Sequence, residues 1–363
     1  MKEQVTKFKM KILSFEYSDY SWALDKVSFG NLNLIVGRNA VGKSKTLNAI
    51  VLFVRFLNGD VNAATPSHWC KVEFVTDDNT ILTYGYVYTD NVITDETLYR
   101  GTDKIISRDK EHAFIGNTEV NPPANKLCVQ SQRDTKNYPE FESIMQWAEK
   151  LKDYSFSELS STKSYEIPSL FSEKINFSDM YEKIYQIEEK RDFVISKMKE
   201  LDYEIDSIEP FKISDKFNIV IVKEHGVNTP LYSALLSNGM LRVLYIFAYM
   251  AYLSTEQGAR TLLVDDLGEG LDFSRSSKLS KIIFDYCEAH DIQLIVTSND
   301  NFLMNAVNLD YWVILQRDGE HTTGISKKTH PDMFLKFKKM GLNNFDMLST
   351  DFIYRYLEKA KEV

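Results

Sequence analysis

Cysteine is scarce in this chain: Cys70, Cys128 and Cys287 are the only three in 363 residues, far apart and without a CxxC pair. That excludes a disulfide framework, leaves no zinc site to argue for and fits a reducing compartment, with the thiols read as small buried apolar groups. Histidine is also sparse. His68, His112, His225, His290, His321 and His330 show neither HExxH nor a close ligand pair, so a histidine-built metal centre is not expected. No GxSxG nucleophile motif occurs, and there is no internal repeat or low-complexity tract. Long apolar runs are missing as well. The longest, Val243 to Leu253, is too short to cross a bilayer, and the lysine-rich start, Met1 to Lys11, has no apolar signal core. A cytoplasmic protein without a membrane partner is expected. Positive charge is in deficit, 43 Lys and Arg against 52 Asp and Glu for a net charge of −9, which weakens any expectation of tight non-specific nucleic-acid binding. A local basic patch stays open, so nucleic acid ranks as a secondary partner.

What is present is an ordinary globular composition, 44% hydrophobic and 26% charged, in a chain longer than one compact domain. Residues 8 to 36 read as two or three strands that end in the buried run Leu32, Leu34, Ile35, Val36. From Lys43 to about Leu57 the pattern turns helical, with Leu47, Ile50, Val51 and Val54 inward. Strand-like pieces such as Lys71 to Val75 and Ile81 to Tyr88, set off by Asp77-Asp78-Asn79 and Asp90-Asn91, predict an antiparallel β lobe. Residues 140 to 210 read as mainly helical: Tyr181, Ile184, Ile187, Val194, Met198, Leu201 and Ile205 recur at helical spacing, as in a short arm. After a strand at Asn218 to Lys223, strands and helices alternate: helix Asn238 to Ser254, strand Thr261 to Val264, helix Arg275 to Ala289, then strands Ile292 to Thr297 and Trp312 to Leu315. The expected fold is α/β: a P-loop core with a mainly parallel sheet, an antiparallel β lobe and a short helical insert. The corresponding divisions are 1–66 and 215–330 for the two halves of the core, 67–139 for the lobe, 140–214 for the insert and 331–363 for a helical tail.

The strongest motif is Gly37-Arg38-Asn39-Ala40-Val41-Gly42-Lys43-Ser44, a GxxxxGK[ST] loop followed by Lys45, between a predicted buried strand and a predicted helix. In that setting backbone N–H groups and the positive helix end surround phosphates, Lys43 reaches the β- and γ-phosphates and the Ser44 hydroxyl binds Mg²⁺. An accidental glycine-rich turn is the bland alternative. The run Thr261-Leu262-Leu263-Val264-Asp265-Asp266 ends an apolar strand in two carboxylates, Asp265 for the metal side and Asp266 beside it, with Glu269 three residues on. Read alone it is equally a solvated acidic turn. Leu236-Ser237-Asn238-Gly239-Met240-Leu241-Arg242 opens an apolar helix, where Ser237 and Gly239 make an anion site or Ser237 merely caps the helix.

The order P-loop, LSxGxxR, Asp-Asp and Gly270-Leu271-Asp272 resembles the ABC-type ATPase heads of the SMC, RecF and OLD group, and GxNxxGKS with Asn39 is similar to that branch in particular. The resemblance covers roughly 1–60 and 215–316. It implies ATP and Mg²⁺ as ligands and a homodimer or higher oligomer in which Lys43 and Ser44 of one subunit hold ATP while Ser237, Asn238 and Gly239 of another close over the γ-phosphate. Asp272 matches the D-loop, and Gln130 or Gln132 the Q-loop glutamine, with Gln132 also on the metal side. Three departures bear on hydrolysis: Asp266 where the resemblance implies a glutamate that polarises the attacking water, with Glu269 as a substitute base, Ala40 for a common glycine, and Ser298-Asn299-Asp300 where a switch histidine is expected, leaving Ser298 or Asn299 to contact the γ-phosphate. Met240 also replaces a common polar residue. The insert is too short for an SMC coiled coil, and the roughly 50 residues after Leu315 fall short of the nuclease domain of OLD proteins. The resemblance therefore implies an ATPase, with slow turnover, whose dimerisation gates a separately encoded effector protein in bacterial phage defence. A RecF-like DNA-binding repair factor and an ATP-binding scaffold with negligible turnover are the alternatives.

Overall fold

The run Leu32 to Val36 folds as a strand with all five residues buried, as a strand covered on both faces must be. In the computed structural model, which describes residues 10–60, 65–151, 177–214, 217–255 and 261–361, it is the third of three strands before the first helix. These are β1 (Met10–Asp19), β2 (Ala23–Ser28) and β3 (Leu32–Val36), followed by helix α1 (Lys43–Asn58). Six strands come next: β4 (His68–Thr76), β5 (Ile81–Thr89), β6 (Val92–Arg100), β7 (Asp103–Arg108), β8 (Ala113–Ile115) and β9 (Thr118–Glu119). Asn79, Asp90 and Asn91 take positive φ at the tight turns, a conformation that Asn and Asp tolerate best after glycine. Helices α2 (Cys128–Ser131), α3 (Pro139–Leu151), α4 (Phe177–Tyr185) and α5 (Glu188–Glu200) lead to β10 (Ile205–Ser214), β11 (Phe217–Glu224) and β12 (Leu231–Tyr232). The remainder is α6 (Asn238–Leu253), β13 (Thr261–Val264), α7 (Phe273–Ala289), β14 (Gln293–Thr297), α8 (Asn301–Ala306), β15 (Trp312–Asp318), β16 (His321–Ser326), α9 (Pro331–Lys338), α10 (Asp346–Ser349) and α11 (Phe352–Lys361).

Thirteen strands form one sheet in the order β13-β14-β3-β15-β16-β2-β1-β4-β5-β6-β7-β8-β9. Parallel pairing is confined to β13 with β14, β14 with β3, β3 with β15 and β16 with β2. The expectation of a mainly parallel sheet is therefore corrected: antiparallel pairs dominate. The reason is connection length, since strands joined by tight turns, as from β4 to β9, can only pair antiparallel. The predicted β lobe is present as strands, yet it continues the core sheet, because β1 pairs with β2 on one side and β4 on the other. The strand predicted at Asn218 to Lys223 also lies elsewhere, in a separate antiparallel sheet ordered β10-β11-β12.

The sheet divides two apolar cores, and the two-residue period of a strand assigns side chains to them. Leu32, Leu34 and Val36 enter a core with α4–α7, whereas Ile35 joins Leu263, Ile295, Val313 and Leu315 in a second core with α1, α3 and the β4–β8 strands. In that second core Phe53 of α1 lies 6.1–6.3 Å from the rings of Phe15, Phe74, Tyr84, Tyr86 and Trp147, which anchors the helix whose N-terminus forms the phosphate loop. Each such ring, fully buried, contributes about 1.5–3 kcal/mol.

The helical arm is corrected too. Helix α5 ends at Glu200, Asp202 turns at φ 59° and β10 starts at Ile205, so Leu201, Ile205 and Ile208 are buried from a turn and a strand. Tyr181, Ile184, Val194 and Met198 pack into the same core as α6. The cause is α6 itself: it is buried on all sides from Val243 to Leu253, and a helix apolar all round must be covered all round. The part of the predicted insert at 152–176 lies outside the described residues.

Candidate nucleotide site

Because β13, β14 and β3 are parallel, their C-terminal ends meet at one edge, which also holds the start of α1. The loop from Gly37 to Gly42 has glycine where bulk is excluded. A Cβ at Gly37 would stand 2.8 Å from the carbonyl oxygen of Leu315, and one at Gly42, where φ is 110°, would meet the Trp22 ring at 3.0 Å. Ala40 sits at φ 64°, a left-handed conformation that glycine would adopt at less cost. Three side chains brace the loop from outside. Trp22 Nε1 donates to Thr322 Oγ1 at 2.8 Å, Thr322 Oγ1 donates to the Val41 carbonyl at 3.0 Å and Arg317 Nη1 to that of Ala40 at 3.3 Å. Arg38, Asn39, Ser44 and Lys45 are exposed, and the Lys45 ammonium lies 5.7 Å from the Trp22 ring centroid.

Lys43 is buried and its ammonium donates to the carbonyls of Gly37 at 2.9 Å and Arg38 at 3.2 Å. Burial lowers its pKa, and the nearby Asp266 and Asp265 partly restore it. Ser44 Oγ donates to Asp265 Oδ1 at 3.0 Å. A hydroxyl and a carboxylate in contact at a phosphate loop are the hard oxygen donors that Mg²⁺ uses together with phosphate oxygens. Ser44 and Asp265 thus fit the ion, which would neutralise phosphate charge there.

The two carboxylates differ in environment. Asp265 also accepts from Thr297 Oγ1 at 2.6 Å, and the same hydroxyl accepts the Asp266 N–H at 2.7 Å. Asp266, half-buried at φ 52°, has a raised pKa, mainly through burial, then through the charges of Glu269 and Asp265, while Arg242 and the Asn299 N–H pull it down. Glu269 is differently occupied: its Oε2 accepts from Arg242 Nη1 at 2.8 Å. Arg242 Nη2 also donates to the backbone carbonyls of Asp265 and, at 3.0 Å, Asp266. The arginine of LSxGxxR therefore ties α6 to the acidic turn. Raised pKa and proximity to the loop suit Asp266, more than the ion-paired Glu269, to take a proton.

Ser237 and Asn238 are exposed at the start of α6, where Ser237 Oγ accepts the Met240 N–H at 3.2 Å. Gly239 packs against the turn after Asp266 so closely that a Cβ would lie 2.3 Å from the carbonyl oxygen of Gly270. Gly239→Ala should destabilise the fold by about 1–3 kcal/mol, the usual range for overpacking against atoms that cannot swing away. Urea unfolding checks this, and an unchanged midpoint would show that the turn yields. Asp272 caps α7 through Arg275, whose N–H it accepts at 3.0 Å and whose Nη1 it accepts at 2.9 Å. Ser237 and Asp272 thus accept hydrogen bonds from residues of their own helices and not from the P-loop of the same chain.

Two expectations are corrected here. Gln130 donates to the carbonyls of Phe56 at 2.6 Å and Leu57 at 2.9 Å, at the far end of α1. At 1.5 Å per residue that is about 18 Å from Ser44. Gln132, two residues on, ends α2 with its N–H on the Cys128 carbonyl, and the Gln130 amide is committed to α1 and not to the phosphate loop or the metal side. Ser298 is fully buried, donating to the Leu267 carbonyl at 2.8 Å and accepting the Asp300 N–H at 3.1 Å, so its hydroxyl is used inside the fold. Asn299 is exposed, with its backbone N–H bonded to Asp266. Thr297, Trp22 and Thr322 were not anticipated; the threonine closing the apolar run Leu294-Ile295-Val296 was the one available signal.

A phosphate loop, an acidic turn on the second strand over and a serine-glycine helix start that Arg242 ties to that turn define a protein of the P-loop ATPase class. Residues 32–305 match the family described as an AAA domain, putative AbiEii toxin, Type IV TA system, and the chain belongs to that family. Among solved structures it is similar to an SMC head bound to the C-terminal winged-helix domain of ScpA, with 11% identity, TM-score 0.53 and coverage of 86% of this chain and 96% of that one. It is also similar to an SMC head with an extended coiled coil bound to the C-terminal domain of ScpA from Pyrococcus furiosus, with 11% identity, TM-score 0.51 and coverage of 91% and 100%. At such identity the likeness concerns the fold. No curated protein matches. Among the described residues no helix is long and apolar enough to cross a membrane.

Proposed function

We propose that this chain binds Mg·ATP, dimerises head to head around it and hydrolyses it, using the closed dimer to control a separately encoded effector in bacterial phage defence. The carrying observation is the split between the two halves of the site. Lys43, Ser44, Asp265 and Asp266 converge at one sheet edge, whereas Ser237 and Asn238 stand exposed at the start of α6, and the Ser237 hydroxyl is bonded within its own helix and not to the P-loop. A second copy would bring those groups over the terminal phosphate. Lys43 would leave the loop carbonyls for the phosphates, and Asp266 would take the proton of the attacking water as its oxygen bonds to phosphorus and ADP departs with the electron pair. The toxin–antitoxin description of the family supports a partner encoded apart from this chain.

The first test is the mass of Asp266→Asn protein by light scattering, with and without Mg·ATP. Doubling of the 42.0 kDa chain is expected with nucleotide; a mass that stays monomeric in saturating Mg·ATP would refute the sandwich. Co-purification of the native complex tests the effector, which fails if no second protein accompanies the chain. DNA binding that appears with ATP and falls steeply with salt would instead make it a DNA clamp.

A further inference from the structure

The phosphate loop takes one end of β3, and a small polar cleft takes the other. The cleft, of about 200 Å³, lies where β3 and β15 begin and β16 ends, with Asn31, Trp312, Val313 and Ser326 in its lining. Strands β3 and β15 are parallel and Val313 pairs with Ser326, so these residues stand together at the sheet edge opposite the one that holds Gly37. At about 3.3 Å per residue, the extended chain from Asn31 to Gly37 separates the two places by about 20 Å. The cleft is therefore distinct from the nucleotide site. Its volume falls below about 300 Å³, where drug-sized sites begin, which restricts it to a small ligand.

Its wall carries hydrogen-bonding capacity that the fold leaves unused. Trp312 is fully buried and Ser326 is 8% exposed, yet Trp312 Nε1, Ser326 Oγ and the buried Oδ1 of Asn31 have no hydrogen-bond partner among the described residues. Folded proteins pair nearly all buried polar atoms, and three unpaired ones in the lining of one cleft mark it as a place for a polar ligand. An indole N–H can only donate and a serine hydroxyl donates readily, so the ligand must offer acceptor oxygen. Charge narrows the class further. Asp310 is held by Lys327 at 2.7 Å and by Lys338, and Glu288 is bonded to the Tyr311 hydroxyl. Lys328 differs: its ammonium donates to the Phe29 carbonyl at 2.8 Å and has no carboxylate partner among the described residues. An indole donor, a hydroxyl and an ammonium without a counter-ion form the donor set that an oxyanion requires.

We propose that this cleft is a second ligand site, across the sheet from the phosphate loop, for a small metabolite bearing a carboxylate or phosphate group whose oxygens accept from Trp312 Nε1, Ser326 Oγ and Lys328 Nζ.

Two of the four tryptophans make the test direct. The Trp22 ring packs on Gly42 of the phosphate loop and Trp312 lines the cleft, so their indole N–H resonances in NMR spectra of the full chain report the two sites separately. Trp22→Phe and Trp312→Phe identify the two signals. Inorganic phosphate and succinate are titrated, at constant ionic strength, into Lys43→Ala protein, which lacks the ammonium of the phosphate loop. A saturable shift of the Trp312 signal is expected. A response to phosphate alone assigns a phosphate ligand, to succinate alone a carboxylate, and to both a general oxyanion site. Added to that background, Lys328→Gln should raise the Kd by about tenfold and Ser326→Ala by about fivefold, as the loss of a charged and of a neutral hydrogen bond implies. The proposal is overturned if neither anion moves the Trp312 signal, if Trp22 alone responds, or if either substitution leaves the Kd unchanged. None of these outcomes touches the nucleotide-binding reading, because Lys43 is absent throughout.

Discussion

Replacing Lys43 with alanine should abolish measurable ATP binding, weakening it by about 100-fold or more. The ammonium is the one side-chain cation already inside the loop, bonded to the Gly37 and Arg38 carbonyls, and a bound phosphate would receive it in two charge-assisted hydrogen bonds of about 1.5–3 kcal/mol each. Burial holds its pKa below that of an ordinary lysine, so an added phosphate strengthens its charged form and both partners gain. Calorimetry with Mg·ATP measures the effect, with circular dichroism to verify that the variant is folded. An affinity within a few-fold of the parent would put the phosphate site elsewhere on the molecule.

Asp266→Asn should have the opposite profile, keeping ATP binding while lowering turnover by about 100-fold or more, from the lower end of the range for loss of a general base upward. Asparagine is nearly isosteric and tolerates the left-handed backbone at φ 52°, so the loop keeps its shape. The raised pKa of Asp266 adds a pH signature. The base must be ionised to accept a proton, so the parent rate should climb with pH through a pKa above the usual carboxylate range, and the variant should lose that limb. The stability effect has a definite sign. A carboxyl whose pKa is raised in the folded state favours folding while protonated, below its unfolded pKa, and that contribution disappears as pH rises through the folded pKa. At neutral pH the ionised Asp266 opposes folding, and Asp266→Asn should raise Tm. If Glu269→Gln stops turnover and Asp266→Asn does not, the base is Glu269, despite its pairing with Arg242.

The P-loop, the two carboxylates after Val264 and the serine-glycine helix start could be read without coordinates because each is a local device. Phosphate binding needs a strand, a glycine turn and a helix start contiguous in sequence, and the buried runs Leu32 to Val36 and Leu294 to Thr297 mark strands by their apolar continuity. The glutamine assignment failed for the converse reason. Whether Gln130 reaches the phosphates or the far end of α1 depends on how residues 128–131 dock against α1, and a short apolar segment carries no signal for that. The helical periodicity continued through Leu201 and Ile205 because a turn and a strand entry happened to bury residues at the same spacing.

By itself, then, the sequence determined the chemistry along the chain: which strand ends in carboxylates, which helix starts with a phosphate loop, and that α6 must be covered on every face. Tertiary structure alone decided which of these meet. It ran β1 and β4 together so that the lobe continues the core sheet, and placed the Thr297 hydroxyl between Asp265 and the Asp266 N–H. It buried Ser298, and it set α11 beside the P-loop across the whole length of the chain. The physical reason is range. Hydrophobic period and turn chemistry act over a few residues, whereas the pairing of sheet edges and the docking of helices are settled by burying apolar faces that are distant in sequence and carry no record of their partners.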